Sequence, residues 1–360
     1  MMNTQINNRW FDELKKEHSF LMAGPCSAET PEQVLEIAHE IKDVASVFRA
    51  GIWKPRTRPG GFEGVGAIGL NWLQKVKEET GLPLAIEIAT TEHVDLALKH
   101  DIDVLWIGAR TSVNPFAVQE IASALKGTNK IVMLKNPVNP DLALWLGGLE
   151  RLLKEDVTKV ALIHRGFSTY EATKYRNVPE WQIPLDIKAQ FPDIKIINDP
   201  SHITGNRNMI FETAQTALDL NFDGLMIETH CNPDQAWSDA AQQITPNRLK
   251  EIVSELKVRD LSNSEESYQI NIQNFRNEID ELDSKILKFL NKRMQIADKI
   301  GHLKKDKNIA LFQKDRWQEV LNKMRKEAKD FELDEQFIAA IYKAIHQESI
   351  ARQANIINKK

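Results

Sequence analysis

The sequence predicts an α/β protein, a closed (β/α)8 TIM barrel followed by a smaller all-α domain of three helices. Short apolar runs alternate with amphipathic runs eight times over about 240 residues, which is typical of parallel strands connected by helices. The apolar runs are continuous, as expected of strands buried on both faces. After residue 270, apolar residues recur every three or four positions, which is helical spacing.

Each strand is predicted from its own apolar run, and each helix from the amphipathic run that follows it. Thr30 before Pro31, for example, has the features of a helix N-cap followed by the first helical position. An open doubly wound sheet is the alternative, but no G-x-G-x-x-G fingerprint follows the first strand. The predicted strands are 20–23, 47–53, 84–88, 104–107, 131–134, 160–163, 194–197 and 225–227. The predicted helices are 30–42, 71–80, 92–100, 115–125, 142–154, 208–220, 235–244 and 246–256, with a less regular return through 170–190.

In a barrel of this kind, functional groups collect just after the strands. Polar or ionisable residues follow every predicted strand. Among them are six cations, whose mutual repulsion in a desolvated site costs several kcal/mol unless anions neutralise them. We therefore expect substrates with at least two phosphate or carboxylate groups. The strand-end residues are Cys26, Arg49 with Lys54 and Arg56, Glu87, Arg110, Lys135, Arg165, Asp199 with His202, and Glu228 with His230.

A second set of strand-end residues offers the mixed donor atoms of a metal site. Cys26, His202 and Glu228, with Asp239 or Asp199, supply sulfur, nitrogen and oxygen ligands that suit a divalent ion of the Mn, Fe, Co or Zn class. No local spacing links these residues, so a buried structural thiol and an ordinary loop histidine are the alternatives.

The composition of the chain limits the kinds of molecule that it can bind. The net charge of −4 argues against general binding to nucleic acid or membranes, and no apolar run is long enough for a membrane span. The N-terminus lacks the features of a signal peptide, so we expect a cytoplasmic protein. In that reducing compartment the two cysteines, Cys26 and Cys231, are not expected to form a disulfide.

The strand ends carry several short motifs, in this order along the chain: Gly24-Pro25-Cys26-Ser27, Arg49 followed by Lys54-Pro55-Arg56-Thr57, Gly108-Ala109-Arg110, Lys135, His164-Arg165-Gly166, Asp199-Pro200-Ser201-His202 and Asp223-Gly224-Leu225-Met226-Ile227-Glu228. Taken together and in order, these motifs resemble the 3-deoxy-D-arabino-heptulosonate 7-phosphate (DAHP) synthase family over about residues 18–257. The resemblance implies a metal-dependent condensation of phosphoenolpyruvate with erythrose 4-phosphate, the first step of the shikimate pathway.

The same resemblance implies roles for individual residues. Lys54 would supply a proton, and Arg56 and Thr57 would bind the erythrose phosphate. A sister activity, condensation with arabinose 5-phosphate, is the nearest rival. The Lys-Pro-Arg-Thr run separates the two, since the sister family resembles Lys-Ala-Asn at that point. The implied metal ligands are Cys26, His202, Glu228 and Asp239, and phosphoenolpyruvate would sit on Arg49, Lys54, Arg110, Lys135 and Arg165, with Glu87 nearby.

The remainder of the chain predicts a separate helical domain. We expect a barrel domain over 1–259, a polar linker over 260–269 and a helical domain over 270–360. A first helix of about 30 residues would be about 45 Å long, too long to bury itself against its shorter partners. We therefore expect a homodimer formed through this domain. The alternative is a coiled-coil dimerisation tail, which a spread of polar residues along the helices argues against.

The polar residues spread along these helices include Arg276, Arg293, Lys304, Arg316, Ser349 and Gln353. Their spacing resembles the all-helical chorismate mutases over about residues 270–357. By resemblance, Lys304 and Gln353 would face the ether oxygen of chorismate. One departure concerns recognition of the substrate hydroxyl: Trp317 replaces a usual glutamate, and Gln313 a usual aspartate. A non-catalytic tail that binds chorismate or prephenate and regulates the barrel is the alternative. The residues that would bind carboxylates are Arg276 from the partner chain, Arg293, Arg316 and Ser349.

Overall fold

The computed structural model describes residues 6–16, 19–55 and 60–358. The chain divides into two compact units, Met1–Leu261 and Ser262–Lys360. The first is α/β and the second is all-helical. Within the described parts of the chain, none of the helices combines the length and the apolarity that a membrane crossing requires.

The first unit is built on a closed barrel of eight parallel strands in the described residues. The strands are β1 (Phe20–Gly24), β2 (Val47–Arg49), β3 (Leu84–Ile88), β4 (Val104–Ile107), β5 (Ile131–Lys135), β6 (Val160–His164), β7 (Lys195–Asn198) and β8 (Gly224–Glu228). Each strand pairs with the next along the chain, and β8 pairs with β1 to close the barrel. The predicted fold class is therefore confirmed, and the open sheet is excluded.

Helices follow the strands, and side-chain caps begin several of them. Thr30 accepts a hydrogen bond from the Gln33 amide, and Thr245 accepts one from the Arg248 amide. Each cap satisfies a backbone donor that the first helical turn leaves open. The helices of this unit are α1 (Arg9–Leu14), α2 (Pro31–Ile41), α3 (Ile68–Thr80), α4 (Thr91–Lys99), α5 (Pro115–Leu125), α6 (Leu142–Lys154), α7 (Gln182–Gln190), α8 (Pro200–Thr204), α9 (Ile210–Asp219) and α10 (Pro246–Glu255).

Alternate residues of the strands build two apolar layers. One layer faces the surrounding helices, and the other fills the barrel interior with side chains such as Met22, Trp106 and Met133. At the N-terminal end of the barrel, Trp10 and Phe11 of α1 join the interior layer, and the Phe11 ring stacks on Phe20 at 5.0 Å. That end is closed by apolar packing, so the polar groups lie at the other end.

Two sequence predictions within the barrel are wrong in detail. The predicted strand 47–53 ends at Arg49. The predicted helix 235–244 contains only short 3-10 turns, at Pro233–Gln235 and Ala240–Gln242. Side chains of this segment bond to the barrel instead, and Gln243 Oε1 accepts a hydrogen bond from the Cys26 amide at 3.0 Å. In the segment 170–190, predicted as a less regular return to the next strand, only Gln182–Gln190 is helical.

The second unit has three helices in the described residues: α11 (Glu266–Asp306), α12 (Lys314–Asp330) and α13 (Glu335–Asn358). At 41 residues, α11 is longer than predicted and begins inside the predicted linker 260–269. It crosses α13 closely at Gly301, where a Cβ atom would lie only 3.2 Å from Gln353 Cα. A larger residue would push these two helices apart.

One face of α11 carries a row of apolar side chains that a single chain leaves uncovered. More than half of the surface of each of these side chains is exposed. Exposed apolar patches of this kind mark interaction surfaces in soluble proteins. The row, called here the α11 apolar face, consists of Phe275, Ile279, Leu282, Ile286 and Phe289.

Candidate active sites

A polar cavity lies at the C-terminal ends of the barrel strands. It brings together most of the residues that the sequence predicts as functional in this unit. Arg56 and Thr57, the predicted ligands of the erythrose phosphate, lie outside the described residues. The residues that line the cavity include Cys26, Arg49, Lys54, Glu87, Arg110, Lys135, Arg165, Arg176, His202, Glu228 and Asp239.

Arg49 at the end of β2 and Glu228 at the end of β8 form a buried ion pair. Arg49 Nη1 lies 2.7 Å from Glu228 Oε1, and both side chains are at most 3% exposed. Arg49 Cζ also lies 4.9 Å from the centre of the Trp106 ring. Burial opposes ionisation of Glu228, but electrostatic interactions with His202, Arg49 and Lys54 outweigh it and lower the pKa of Glu228 to about 2. Glu228 is therefore a carboxylate at neutral pH.

Asp199 connects a second cation to His202. Its Oδ2 atom accepts a hydrogen bond from Lys135 Nζ at 3.0 Å and lies 2.8 Å from His202 Nδ1. Asp199 is also the N-cap of α8, because its Oδ1 atom accepts a hydrogen bond from the His202 amide at 3.1 Å. The cap holds the His202 backbone, and the His202 Nε2 atom lies 3.7 Å from Glu228 Oε1.

Cys26 lies between a cation and a carboxylate. Its Sγ atom is 2.6 Å from Lys54 Nζ and 3.3 Å from Asp239 Oδ2. Burial, followed by the charge of Glu228, raises the pKa of the Cys26 thiol to about 12. The free thiol therefore keeps its proton at neutral pH.

The four predicted metal ligands line this one cavity, although they are not arranged as a finished metal site. Among the described residues, no group of three or more histidine, cysteine, aspartate and glutamate side chains forms such a site. The donor set still fits a first-row divalent ion, because it supplies one sulfur, one nitrogen and two carboxylate ligands.

Arg165 and Glu87 are held by neighbouring polar groups. Arg165 Nη1 donates to Asn177 Oδ1 at 2.7 Å. Burial lowers the pKa of Arg165 to about 10, which leaves its guanidinium charged at neutral pH. Glu87 Oε2 accepts from Trp106 Nε1 at 3.0 Å, and a Cβ atom at residue 108 would lie 2.0 Å from Glu87 Oε1. Gly108 is therefore required for the position of Glu87.

The sequence analysis missed Arg176. Its Nη1 atom lies 2.9 Å from Asp239 Oδ1 and 2.6 Å from Gln242 Oε1. The backbone of Asp239 has a φ of 50°, in the left-handed region that residues other than glycine rarely adopt. Arg176 lies in an irregular segment between β6 and α7, so the strand-end rule could not find it. The only available signal was a cation in a segment without regular structure.

The helical unit contains its own cavity, with a volume of about 270 Å³. The smallest ligand pockets of proteins are about 300 Å³, so this cavity is close to that size. Arg293 Nη1 donates to Ser349 Oγ at 2.7 Å, and Lys304 Nζ donates to the Leu311 carbonyl at 2.6 Å. Gln353 Oε1 is buried and has no hydrogen-bond partner within the described residues. The lining includes Arg293, Lys304, Gln313, Arg316, Trp317, His346, Ser349 and Gln353.

Two arginines that the sequence predicts as carboxylate ligands lie at different places relative to this cavity. Arg316 lines the cavity and forms an exposed ion pair with Glu319 at 2.7 Å. Arg276 is exposed and is not among the lining residues. It precedes Arg293 by 17 residues on α11, about 25 Å at 1.5 Å per residue. The sequence analysis also missed His346, whose ring stacks on Trp317 at 4.1 Å.

Known proteins match both units. The family model described as the DAHP synthetase I family matches residues 14–262, and the model described as chorismate mutase type II matches residues 275–354. A phospho-2-dehydro-3-deoxyheptonate aldolase of Thermotoga maritima is 29% identical over 238 residues, which cover 66% of this chain and 68% of that protein. The crystal structure of this Thermotoga maritima DAHP synthase aligns with the chain with a TM-score of 0.60.

Two further relatives agree on the barrel. A truncated form of the 3-deoxy-D-arabino-heptulosonate 7-phosphate synthase of Thermotoga maritima is 27% identical, with a TM-score of 0.58 over 66% of this chain and 84% of that chain. A 2-dehydro-3-deoxyphosphooctonate aldolase of Nitratidesulfovibrio vulgaris is 26% identical over 254 residues, covering 66% of this chain and 90% of that protein. The barrel unit contains the strand-end cavity, and the helical unit contains the cation-lined cavity. The chain therefore belongs to the DAHP synthetase I family and carries a chorismate mutase type II domain in its helical unit.

Proposed function

We propose that this chain is a bifunctional enzyme of the shikimate pathway. The barrel condenses phosphoenolpyruvate with erythrose 4-phosphate to DAHP and phosphate, and the helical unit rearranges chorismate to prephenate. The observation that carries the barrel activity is the single cavity in which cations and metal-type donors meet at the strand ends. The net charge of −4 gives the chain no general affinity for polyanions. We therefore infer small-molecule substrates. We also propose that the enzyme is cytoplasmic, as the features of its N-terminal sequence lead us to expect.

The cations of the barrel cavity bind and orient phosphoenolpyruvate. Arg110, Lys135 and Arg165 neutralise its phosphate and carboxylate groups, so that its methylene carbon is held close to the aldehyde carbon. A carbon–carbon bond forms between these two carbons, and Lys54 supplies a proton to the aldehyde oxygen. Water then adds at the adjacent carbon that carries the phosphate, and the phosphate leaves from that carbon. Glu87, held by Trp106, lies beside these cations.

Members of the DAHP synthase family are generally metal-dependent. We infer that Cys26, His202, Glu228 and Asp239 hold a divalent ion of the Mn, Fe, Co or Zn class. When bound, such an ion supplies Lewis-acid polarisation of the aldehyde carbonyl. Asp199 lies 2.8 Å from the His202 ring, and Arg176 pairs with the Asp239 carboxylate. Supporting contacts of this kind orient the groups that bind a metal.

Phosphate release tests the barrel activity. It should require phosphoenolpyruvate together with erythrose 4-phosphate, and arabinose 5-phosphate should not replace the latter. A chelator should abolish release, and an added divalent metal should restore it in the native chain but not in Cys26→Ala. Cys231→Ala is the matched control, because Cys231 is the other free cysteine and does not line the cavity. Full activity of chelated enzyme, with a lysine adduct trapped by borohydride, would replace this mechanism with a Schiff-base aldolase.

The helical cavity supplies what a concerted rearrangement needs. No acid or base is required for this reaction. The rate comes from binding chorismate in its compact conformation and from hydrogen-bond donors at its ether oxygen, which gains negative charge in the transition state. Arg293, Arg316 and Ser349 bind the two carboxylates, and Lys304 and Gln353 face the ether oxygen. Arg293→Ala should lower chorismate turnover about 100-fold or more. Arg325→Ala, an exposed arginine outside the cavity, is the matched control.

We infer that the helical unit forms a homodimer through the α11 apolar face. This face is more than half exposed in a single chain, and a second copy would cover it. A dimer also explains why Arg276 lies far from the cavity of its own chain, since we propose that it completes the site of the partner subunit. Because a homodimer is symmetric, each subunit would supply its Arg276 to the helical cavity of the other.

A further inference from the structure

One residue of the helical cavity has no role in the proposed function. His346 of α13 lines the cavity, and its ring is held on two sides by aromatic rings. It stacks on Trp317 with ring centres 4.1 Å apart and planes 21° apart, and Phe312 approaches it edge-on at 6.2 Å. Aromatic contacts of this kind restrict the orientation of the ring.

The nitrogens of this ring are available for a ligand. Across the described residues, neither nitrogen of His346 has a hydrogen-bond partner. Burial, followed by the charges of Arg293 and Lys304, lowers the pKa of His346. The imidazole is therefore neutral at pH 7 and offers one N–H donor and one acceptor nitrogen.

Apart from the Gln313 amide and the Trp317 indole N–H, the other polar groups of the cavity are already assigned or engaged. The three cations suit carboxylates and an ether oxygen. Ser349 Oγ accepts from Arg293 and donates to the Ile345 carbonyl at 2.8 Å. None of the described residues that line the cavity is acidic. The ring hydroxyl of chorismate both donates and accepts a hydrogen bond, which matches a neutral imidazole.

We propose that His346 binds the ring hydroxyl of the substrate and is a specificity-determining residue of the mutase site. This inference rests on the proposed mutase function. Trp317 stacks on His346 and positions its ring, so that the imidazole supplies the hydrogen bond for which this cavity has no carboxylate.

The test compares two stable ligands on the full-length chain. Both are bicyclic dicarboxylates that mimic the compact transition state, one with the ring hydroxyl and one without it. Their affinities are measured by calorimetry for the native chain, for His346→Phe, which keeps the stacked ring, and for His346→Gln, which keeps a neutral acceptor. The native chain should prefer the hydroxylated ligand about tenfold, as expected for one hydrogen bond. His346→Phe should lose that preference, and His346→Gln should keep part of it.

The outcomes separate this inference from the function on which it rests. His302→Phe is the matched control, because His302 is exposed on α11 and does not line the cavity. It should keep the tenfold preference. If His346→Phe weakens both ligands equally and keeps the preference, His346 only packs the cavity and the inference is overturned. If the native chain binds neither ligand, the mutase function fails as well.

Discussion

The two sites of this chain use cations in opposite ways. In the barrel, Arg49 and Lys135 are buried, and each is paired with a buried carboxylate, at 2.7 and 3.0 Å. In the helical unit, Arg293 has a hydroxyl as its partner, and Arg316 pairs with Glu319 at the surface. Two of the barrel cations therefore have counter-charges within the chain, whereas the helical site leaves its cations for the carboxylates of a substrate.

This difference follows from how the units are closed. Eight strands of one chain surround the barrel site, which is therefore formed before any ligand binds. Three helices cannot enclose a comparable core, and α11 leaves an apolar face exposed. Damage to the barrel site should therefore appear first as lost stability. Damage to the helical site should appear as lost binding.

The largest effect is expected when the buried pair of the barrel is broken. Glu228→Gln keeps the shape of the side chain but leaves Arg49 buried without its counter-charge. The free energy of unfolding should fall by about 3–5 kcal/mol. Urea denaturation followed by the fluorescence of buried Trp106 and Trp145 measures this change. Condensation should be lost, whereas chorismate turnover should stay within about twofold of the native rate.

The control for that substitution is Glu13→Gln. It breaks the pair of Glu13 with Arg9, which are 3.1 Å apart with both side chains exposed. An exposed pair contributes less than about 1 kcal/mol. Equal stability of the two variants would show that Glu228 is not needed to neutralise Arg49, and the contrast between the sites would then disappear.

Acid should weaken the barrel through His164. Its Nε2 atom bonds to the Pro179 carbonyl at 2.6 Å and its Nδ1 atom lies 3.1 Å from Asn198 Nδ2, an arrangement that fits the neutral ring. Burial lowers the pKa of His164 from 6.5 to about 4. As the pH falls from 6.5 to 4, the unfolded chain takes up a proton that the folded chain does not, so stability falls over this range. The difference between the two pKa values corresponds to a loss of about 3 kcal/mol in the free energy of unfolding.

His164→Gln tests this acid sensitivity. The free energy of unfolding, measured by urea denaturation between pH 7 and pH 4, should depend less on pH in this variant than in the native chain. His302→Gln, at an exposed histidine of α11, should keep the native dependence. An unchanged dependence in His164→Gln would mean that other groups cause the acid sensitivity.

Mixing two inactive variants tests whether the helical site is shared between subunits. Arg276→Ala and Arg293→Ala should each lower chorismate turnover about 100-fold or more. After unfolding and refolding of an equal mixture, half of the dimers are mixed, and one of the two sites in each mixed dimer has both arginines. About a quarter of native activity should return, because symmetry pairs each chain's Arg276 with the other chain's Arg293. No recovery would indicate that both arginines act within one chain.

The smallest effect is expected at Glu319. Its carboxylate competes with the substrate for Arg316, in an exposed pair worth about 0.3–0.5 kcal/mol. Glu319→Gln should therefore lower the KM for chorismate about twofold and leave kcat unchanged. Glu327→Gln breaks a similar pair with Lys323 on the same helix and should leave KM unchanged. A raised KM in Glu319→Gln would show that Glu319 supports Arg316 rather than competing for it.

Much of the barrel could be predicted from local sequence. Strands that are buried on both faces are continuous apolar runs, and the residue after each run is forced to the same rim of a closed barrel. Arg49, Lys135 and Glu228 were identified by this rule, and they line one cavity. The helix at 235–244 was predicted wrongly because local spacing does not reveal that Gln243, in the segment after β8, bonds to Cys26 after the neighbouring strand β1.

The sequence by itself therefore determined the fold class, the strand ends and the kinds of charge collected there. Tertiary structure decided which of those charges are partners. It placed Arg176 against Asp239, stacked His346 on Trp317 and left Arg276 away from its own cavity. The physical reason is that periodicity is a property of neighbours along the chain. Ion pairs and ring stacks join residues that only the closed fold brings within a few ångströms.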